Sequence, residues 1–204
     1  MNQVVWGDCL EVMRGMPDKS FDLVLTDPPY GLDFKYDIYE DNRQNLENII
    51  NNFVPEVLRI GKLVAITPGI NNIKLYPEPD WIMAWFYKGG ANYCSFGFNC
   101  WQPILVYGKD PYLRDGLGCR SDAIEDNRPP EKNGHACPKP VSFIGKLLVR
   151  LSTKDSDTIL DPFMGSGTTL VAAKMLKRNF IGIEISEKYC RIAEDRLRQE
   201  MLPL

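Results

Sequence analysis

Short apolar runs that stop at turn-forming or charged residues recur along the chain. Runs of this kind are typical of parallel strands that are buried on both faces. We therefore predict strands over residues 3–6, 21–26, 63–67, 158–163 and 180–185. β-Branched and aromatic residues favour two further strands, over residues 81–87 and 103–107. In the first of these, Trp81, Trp85 and Tyr87 alternate and are expected to be core residues.

Apolar residues at helical spacing predict helices between these strands. Two helices are expected over residues 9–16 and 46–60. A third begins at Pro140 and has Leu151 on its buried face, a fourth follows the glycine turn at residues 165–169 and runs to Lys177, and a fifth follows the N-cap Ser186. Pro55 is expected to kink the second helix or to end it early, because proline lacks the amide hydrogen. Residues 32–45 are predicted to form a mobile loop. Residues 109–138 lack periodicity, which is usual for functional or disordered segments.

The order of strands and helices predicts the fold class. Strands alternate with helices along most of the chain, and the last quarter follows the order strand, glycine turn, helix, strand, helix. This pattern predicts an α/β fold, a mostly parallel sheet with helices on both faces.

The last quarter of the chain contains a pattern typical of nucleotide binding. A predicted strand, the turn Gly165-Ser166-Gly167-Thr168-Thr169, a helix and a second strand with Glu184 near its end follow one another. Glycines let the backbone approach a ligand, and an acid on the next strand can accept hydrogen bonds from both ribose hydroxyls. The spacing favours an adenosine-containing cofactor over the alternative of packing glycines beside a surface acid. Leu170 replaces the third glycine of the dinucleotide motif, and no Walker-type Gly-Lys-Ser/Thr loop occurs.

A second motif, Asp27-Pro28-Pro29-Tyr30, follows the predicted strand over residues 21–26. Methylation of a base amino group requires acceptors for the amino protons, because the nitrogen lone pair is delocalised into the ring. The Asp27 carboxylate and a proline carbonyl are such acceptors, and Tyr30 offers a flat face for an extruded base. The alternative is a rigid strand terminus without chemistry. The carboxyl end of a buried strand, where α/β folds bind ligands, favours the functional interpretation.

Together these motifs resemble those of the amino-methylating DNA methyltransferases, which make N6-methyladenine or N4-methylcytosine. The catalytic motif matches at residues 27–31, the cofactor motif at residues 161–169, and the ribose-binding acid at Glu184. The catalytic motif precedes the cofactor motif, as in the permuted beta class. The resemblance implies a Rossmann-like methyltransferase fold in circularly permuted order, with S-adenosylmethionine (SAM) as cofactor and direct attack by a flipped-out base.

The resemblance also implies roles for single residues. The expected catalytic residues are Asp27, Pro28, Pro29 and Tyr30, and the expected cofactor-binding residues are Asp8, Lys139, Asp161, Phe163, Gly165, Gly167, Thr168 and Glu184. Asp8 is also a candidate helix N-cap, and the two roles are compatible. His135 stands in His135-Ala136-Cys137-Pro138, which departs from the family's commoner form, so its role stays open.

The same motifs favour one substrate among several. In the family, aspartate first in the catalytic motif favours adenine N6, with cytosine N4 as the alternative. An RNA or protein substrate is less favoured, because those relatives usually carry asparagine first and the unpermuted order.

Basic residues are concentrated in the middle of the chain. Residues 88–150 carry nine Lys and Arg against six Asp and Glu, although the net charge of the whole chain is −3. We expect Arg114, Arg120 and Arg128 to contact double-stranded DNA; a solvated basic loop is the alternative on charge alone. The chain is expected to be a single catalytic domain, residues 1–204, with a reduced target-recognition insert within about 70–134. The short insert makes a second subunit, as in a homodimer, a candidate partner, and the resemblance to DNA methyltransferases implies a restriction endonuclease as another.

Composition restricts the remaining classes. The 204 residues suit one domain, and no apolar run or leader pattern indicates a membrane segment. The six cysteines form no framework, which favours free thiols in a reduced, cytoplasmic protein of a bacterial, archaeal or phage-infected cell. Cys119, His135 and Cys137 lack a Cys-x-x-Cys pair, so we expect no metal.

Overall fold

One eight-stranded sheet forms the centre of the protein. The computed structural model describes residues 2–34, 38–88, 93–94, 97–131 and 138–199. The sheet order is β1-β10-β9-β2-β3-β7-β4-β8, with β1 Asn2–Trp6, β2 Leu23–Thr26, β3 Val64–Ile66, β4 Trp81–Phe86, β7 Trp101–Tyr107, β8 Ala123–Glu125, β9 Thr158–Asp161 and β10 Asn179–Glu184. Two short strands, β5 Tyr93–Cys94 and β6 Gly97–Phe98, pair antiparallel as a separate two-stranded sheet.

The sheet is mostly parallel, as the sequence predicts. Strand β7 pairs antiparallel with β3 and with β4, and the other neighbouring pairs of the sheet are parallel. The carboxyl ends of β1, β2, β3, β9 and β10 therefore lie at one edge of the sheet, and those of β4 and β8 lie at the same edge.

Helices cover both faces of the sheet. They are α1 Cys9–Arg14, α2 Arg43–Ile60, α3 Pro111–Arg114, α4 Val141–Leu151, α5 Thr168–Met175 and α6 Glu187–Arg198, with a 3-10 helix over Ile70–Leu75. Strand β2 shows how the two faces arise: Leu23 and Leu25 join the buried cluster of α4 and α5, while Val24 joins that of α1 and α2. Among the described residues, no helix combines the length and apolar character needed to cross a membrane.

Helix α2 differs from its prediction at its first residue, and it does not show the early stop that was one of the two expectations for Pro55. It begins at Arg43 rather than residue 46, because the Asn42 side chain accepts a hydrogen bond from the Asn45 amide and caps it. Pro55 does not end the helix, which continues to Ile60. Pro55 and Asn51 are both exposed, so the Asn51 carbonyl that loses its helical partner faces water.

The middle of the chain contains more regular structure than its sequence indicates. Residues 109–138 were expected to lack periodic elements, yet they include α3 and β8. The segment expected to hold the target-recognition insert supplies the two predicted strands, β4 and β7, and the unpredicted β8 to the main sheet. The prediction that Trp81 is a core residue is wrong: it is 60% exposed, whereas Trp85, two pleats further along β4, is buried.

Candidate active site

The predicted catalytic and cofactor motifs open onto the same cavity. Because their strands are parallel, the residues after β1, β2, β9 and β10 meet at the carboxyl edge of the sheet. A cavity of about 250 Å³ lies there. Its walls include four carboxylates and one lysine, namely Asp8, Asp27, Asp161, Glu184 and Lys139.

Asp27 is the centre of a polar cluster at one end of this cavity. Its Oδ2 accepts a hydrogen bond from Lys139 Nζ at 2.6 Å, and its Oδ1 accepts hydrogen bonds from the hydroxyls of Tyr30 and Thr67. Lys139 also donates to the Tyr30 oxygen at 2.9 Å, and its side chain is only 7% exposed. The ammonium group therefore places a positive charge beside the Asp27 carboxylate, whose two oxygens act as hydrogen-bond acceptors.

Tyr30 is held as a neutral hydrogen-bond donor. Burial raises the pKa of its hydroxyl far above the usual range, and the charge of Asp27 acts in the same direction. The hydroxyl therefore stays protonated and donates a hydrogen bond to Asp27. Its carbonyl accepts a hydrogen bond from the Asn72 side chain at 2.9 Å, so both ends of the residue are fixed.

The glycine turn and Glu184 form the other end of the cavity. Glu184 accepts hydrogen bonds from the amides of Gly165, at 3.0 Å, and Ser186, at 2.8 Å. Gly167 adopts φ +80°, and a Cβ there would lie 2.7 Å from the Cβ of Ala193 in α6. The turn thus requires glycine at residue 167 for its conformation and for the close approach of α6.

Asp161 lies between the two ends and is almost fully buried. Burial raises the pKa of its carboxyl group to about 6, and the nearby charge of Asp27 adds to this; hydrogen bonds from Thr169 and Thr26 oppose it. Its Oδ1 also accepts a hydrogen bond from the Phe163 amide at 3.1 Å. Asp161 therefore links the end of β9 to β2 and to the cofactor motif.

The other residues predicted for the site are placed as follows. The cavity walls include Pro29, Phe163, Gly165 and Thr168. Pro28 is buried and is not one of the lining residues, and Gly167 packs on α6. Asp8 has both of its expected positions: it lines the cavity and caps α1 by accepting from the Leu10 and Glu11 amides. His135 and Cys137 lie outside the described residues, so the structure does not address His135 or the zinc alternative.

The structure separates the three arginines predicted to bind DNA. Arg128 follows β8 and lies at the carboxyl edge, as the cavity does. Arg114 interacts with Asp22 and Asp157, which precede β2 and β9, so it lies at the opposite edge. Arg120 shares a second cavity with Asp80, the residue before β4, and lies at that opposite edge too. The structure therefore places Arg114 and Arg120, two of the arginines predicted to contact DNA, away from the candidate active site.

Several residues of the site had not been predicted from the sequence. Thr67 could have been found, because it ends a predicted strand whose carboxyl end meets the site. Asp41, Asn72 and Arg196 carry no comparable signal, since they act through contacts distant in sequence. Arg196, buried in α6, donates to the Ser166 carbonyl at 2.6 Å and supports the glycine turn from behind.

Comparisons with known proteins identify the family. The model of the DNA methylase family N6_N4_Mtase matches residues 80–195, more than half of the chain. The chain belongs to this DNA methylase family. The match contains the glycine turn, Glu184 and Lys139 but begins after the Asp27 motif. The putative methylase YubD of Escherichia coli strain K12 is 31% identical to this DNA methylase, over 97% of this chain and 90% of YubD. That alignment covers the Asp27 motif.

One further relative and two solved structures are also similar to the chain, in sequence or in fold. The type II methyltransferase M.HinfI of Haemophilus influenzae is 26% identical, over 98% of this DNA methylase and 69% of M.HinfI. The structure of the M1.HpyAVI–SAM complex superposes with a TM-score of 0.70 at 23% identity, covering 98% of this chain and all of that chain. The cytosine-N4-specific PvuII DNA methyltransferase superposes with a TM-score of 0.73 at 16% identity, covering 98% and 88%. These likenesses confirm the predicted Rossmann-like methyltransferase fold.

Proposed function

We propose that this DNA methylase transfers a methyl group from SAM to the N6 amino group of adenine in double-stranded DNA, by direct attack of a flipped-out base. The observation that carries the proposal is that the Asp27 cluster and the Glu184 glycine turn line one cavity. A methyl donor bound along the turn would place its reactive end toward Asp27. The base amine would approach the cavity from the Asp27 side.

The residues of the cavity suit SAM. At one end Glu184 is a carboxylate whose oxygens can accept hydrogen bonds from ribose hydroxyls, and Asp8 can accept from an adenine amino group. The amide groups and glycines of the turn allow close backbone approach. When bound, SAM supplies an electrophilic sulfonium methyl group. M1.HpyAVI, which shares the fold, was crystallised as a SAM complex.

The chain's own contribution is to hold the amine and to accept its protons. Asp27 accepts hydrogen bonds from the amino group and so localises the nitrogen lone pair for attack. Lys139 stabilises the carboxylate by its charge, and Tyr30 provides a stacking surface for the base. Methylation leaves an extra proton on the nitrogen, which Asp27 is positioned to receive.

Adenine is proposed over cytosine because aspartate stands first in the catalytic motif. Cytosine N4 is the second candidate, favoured by the likeness of the fold to the cytosine-N4-specific PvuII enzyme. A homodimer and a restriction endonuclease partner stay predictions.

Mass spectrometry of nucleosides tests the proposed function. DNA from a methylation-free host is incubated with the protein and SAM and then digested to nucleosides. We expect N6-methyladenine with the wild type and at least 100-fold less with Asp27→Ala, because the proton acceptor is lost. Asp18→Ala is the matched control, since Asp18 is exposed and paired with Arg59 away from the cavity. N4-methylcytosine as the sole product would overturn the adenine assignment, and full activity of Asp27→Ala would overturn the mechanism.

A further inference from the structure

The carbonyl side of Tyr30 is held by one buried amide. Asn72, in the 3-10 helix after β3, is 4% exposed. Its Nδ2 donates to the Tyr30 carbonyl at 2.9 Å and to the Pro68 carbonyl at 3.1 Å. Both amide hydrogens are therefore used, and they join the catalytic loop after β2 to the loop after β3.

Arg43 fixes the orientation of this amide. Its Nη1 donates to Asn72 Oδ1 at 3.0 Å, which places the carbonyl oxygen of the amide toward α2 and its nitrogen toward Tyr30. Arg43 is also paired with Glu47 one turn along α2, and its side chain is 54% exposed. A partly exposed arginine at the start of α2 thus acts together with the two carbonyls to set how the buried Asn72 faces the catalytic loop.

The aromatic ring of Tyr30 rests on the same loop. Gly69 has φ +72°, and a Cβ at this residue would lie 3.5 Å from the Tyr30 ring. Asn72 and Tyr30 are not among the described residues that line the cavity, whereas Asp27 and Pro29 are. Contacts through Asn72 therefore act on the tyrosine without touching the surface that the cofactor would occupy.

We propose that Asn72, oriented by Arg43, is a positioning residue that sets Tyr30 for stacking of the extruded base. The inference rests on the proposed function. Loss of the two amide donors leaves the Tyr30 and Pro68 carbonyls without their partner, and the loop shifts to satisfy them. A shift of about 1 Å in a substrate-positioning group lowers turnover by up to about 100-fold.

The consequence is confined to turnover. DNA affinity comes mainly from phosphate contacts, which Asn72 does not make in this position, and the cofactor surface lies elsewhere. Asn72→Asp keeps the size of the side chain and its contact with Arg43 but cannot donate to the two carbonyls. We expect kcat to fall by about 10- to 100-fold, with KM for DNA and Kd for SAM within about threefold of the wild type.

Two control variants and one backup variant define the experiment. Asn52→Asp makes the same substitution on the exposed face of α2, where Nδ2 donates to the Asn48 carbonyl, and should leave kcat unchanged. Arg43→Met removes the group that orients Asn72 at a partly exposed position and should lower kcat several-fold. Glu47→Gln removes the ion pair of Arg43 but leaves its bond to Asn72, and should behave as the wild type.

Steady-state kinetics on methylation-free DNA and calorimetric titration with SAM distinguish the outcomes. Wild-type kcat for Asn72→Asp and Arg43→Met overturns the positioning role. Equal losses of kcat and SAM affinity also overturn it, because they indicate a general effect on the fold. If Asn72→Asp does not fold, Arg43→Met against Glu47→Gln decides. A wild type that methylates no DNA base contradicts the proposed function itself, separately from the ratios between variants.

Discussion

The raised pKa of Asp161 makes the stability of the protein depend on pH. Its carboxyl group ordinarily has a pKa of 3.8, and burial raises it to about 6 in the folded state. Between these values the folded chain keeps a proton that the unfolded chain has lost. The contribution of Asp161 to stability is thus fully present below about pH 4 and is lost as pH rises through 6.

Asp161→Asn tests this directly. Asparagine carries no charge at any of these pH values. The free energy of unfolding of Asp161→Asn, relative to that of the wild type, should therefore rise by about 1–3 kcal/mol between pH 4 and pH 7. Denaturant unfolding at several pH values measures the difference. Asp195→Asn, at an exposed position of α6 paired with Arg198, is the control and should show no such trend. A difference between Asp161→Asn and wild type that is constant with pH would show that the carboxyl group is not shifted.

At the scale of single elements, the start of α5 depends on a glycine that no other residue can replace without strain. Gly167 has φ +80°, and Ala193 of α6 leaves no room for a Cβ. Gly167→Ala is expected to lower the free energy of unfolding by about 2–4 kcal/mol, from backbone strain and overpacking together. It should also weaken SAM binding, because the turn must move.

Denaturant unfolding and calorimetric titration with SAM measure these two effects. Gly15→Ala is the matched control: Gly15 ends α1 with φ −82°, and its Cβ would approach nothing closer than 3.8 Å. This control should be at least as stable as the wild type. Equal stability of Gly167→Ala and Gly15→Ala would contradict the steric argument.

The elements that could be predicted are those whose signal is local. Strands β2, β3, β9 and β10 are largely apolar because both of their faces are buried, so their local sequences predicted them. Strand β1 lies at the edge of the sheet and is partly exposed, and its short apolar run was sufficient to predict it. Strand β8 has three residues and gains its stability from pairing with β4, which leaves no periodic pattern. The site divides in the same way. Asp27 and the glycine turn belong to local motifs, whereas Asn72 and Asp41 act on the catalytic loop from other segments.

Asp41 illustrates why such contacts escape prediction. It is 2% exposed, and its carboxylate accepts hydrogen bonds from the backbone amides of Gly31, Leu32 and Phe34. The sequence places it in a segment predicted to be a mobile loop, between residues 32 and 45. Only the fold reveals that it secures the chain directly after Tyr30.

At the scale of the whole molecule, the two edges of the sheet differ in their relation to DNA. The cavity opens at the carboxyl edge, so a duplex that delivers a flipped base must lie against that edge. Arg128 lies at this carboxyl edge. Its backbone amide donates to Asp126, which also accepts a hydrogen bond from Ser142 at the start of α4. Arg114 is at the opposite edge and forms an ion pair with Asp115.

This geometry predicts that Arg128 and Arg114 contribute unequally to DNA binding. Each phosphate contact contributes about one unit to the slope of log affinity against log salt concentration. Arg128→Gln should therefore weaken DNA binding and reduce that slope by about one unit. Arg114→Gln removes the same charge from the far edge and should leave the slope unchanged. Fluorescence anisotropy with a labelled duplex at several salt concentrations measures both. Equal effects of the two substitutions would mean that DNA contacts both edges, or that the loss reflects net charge alone.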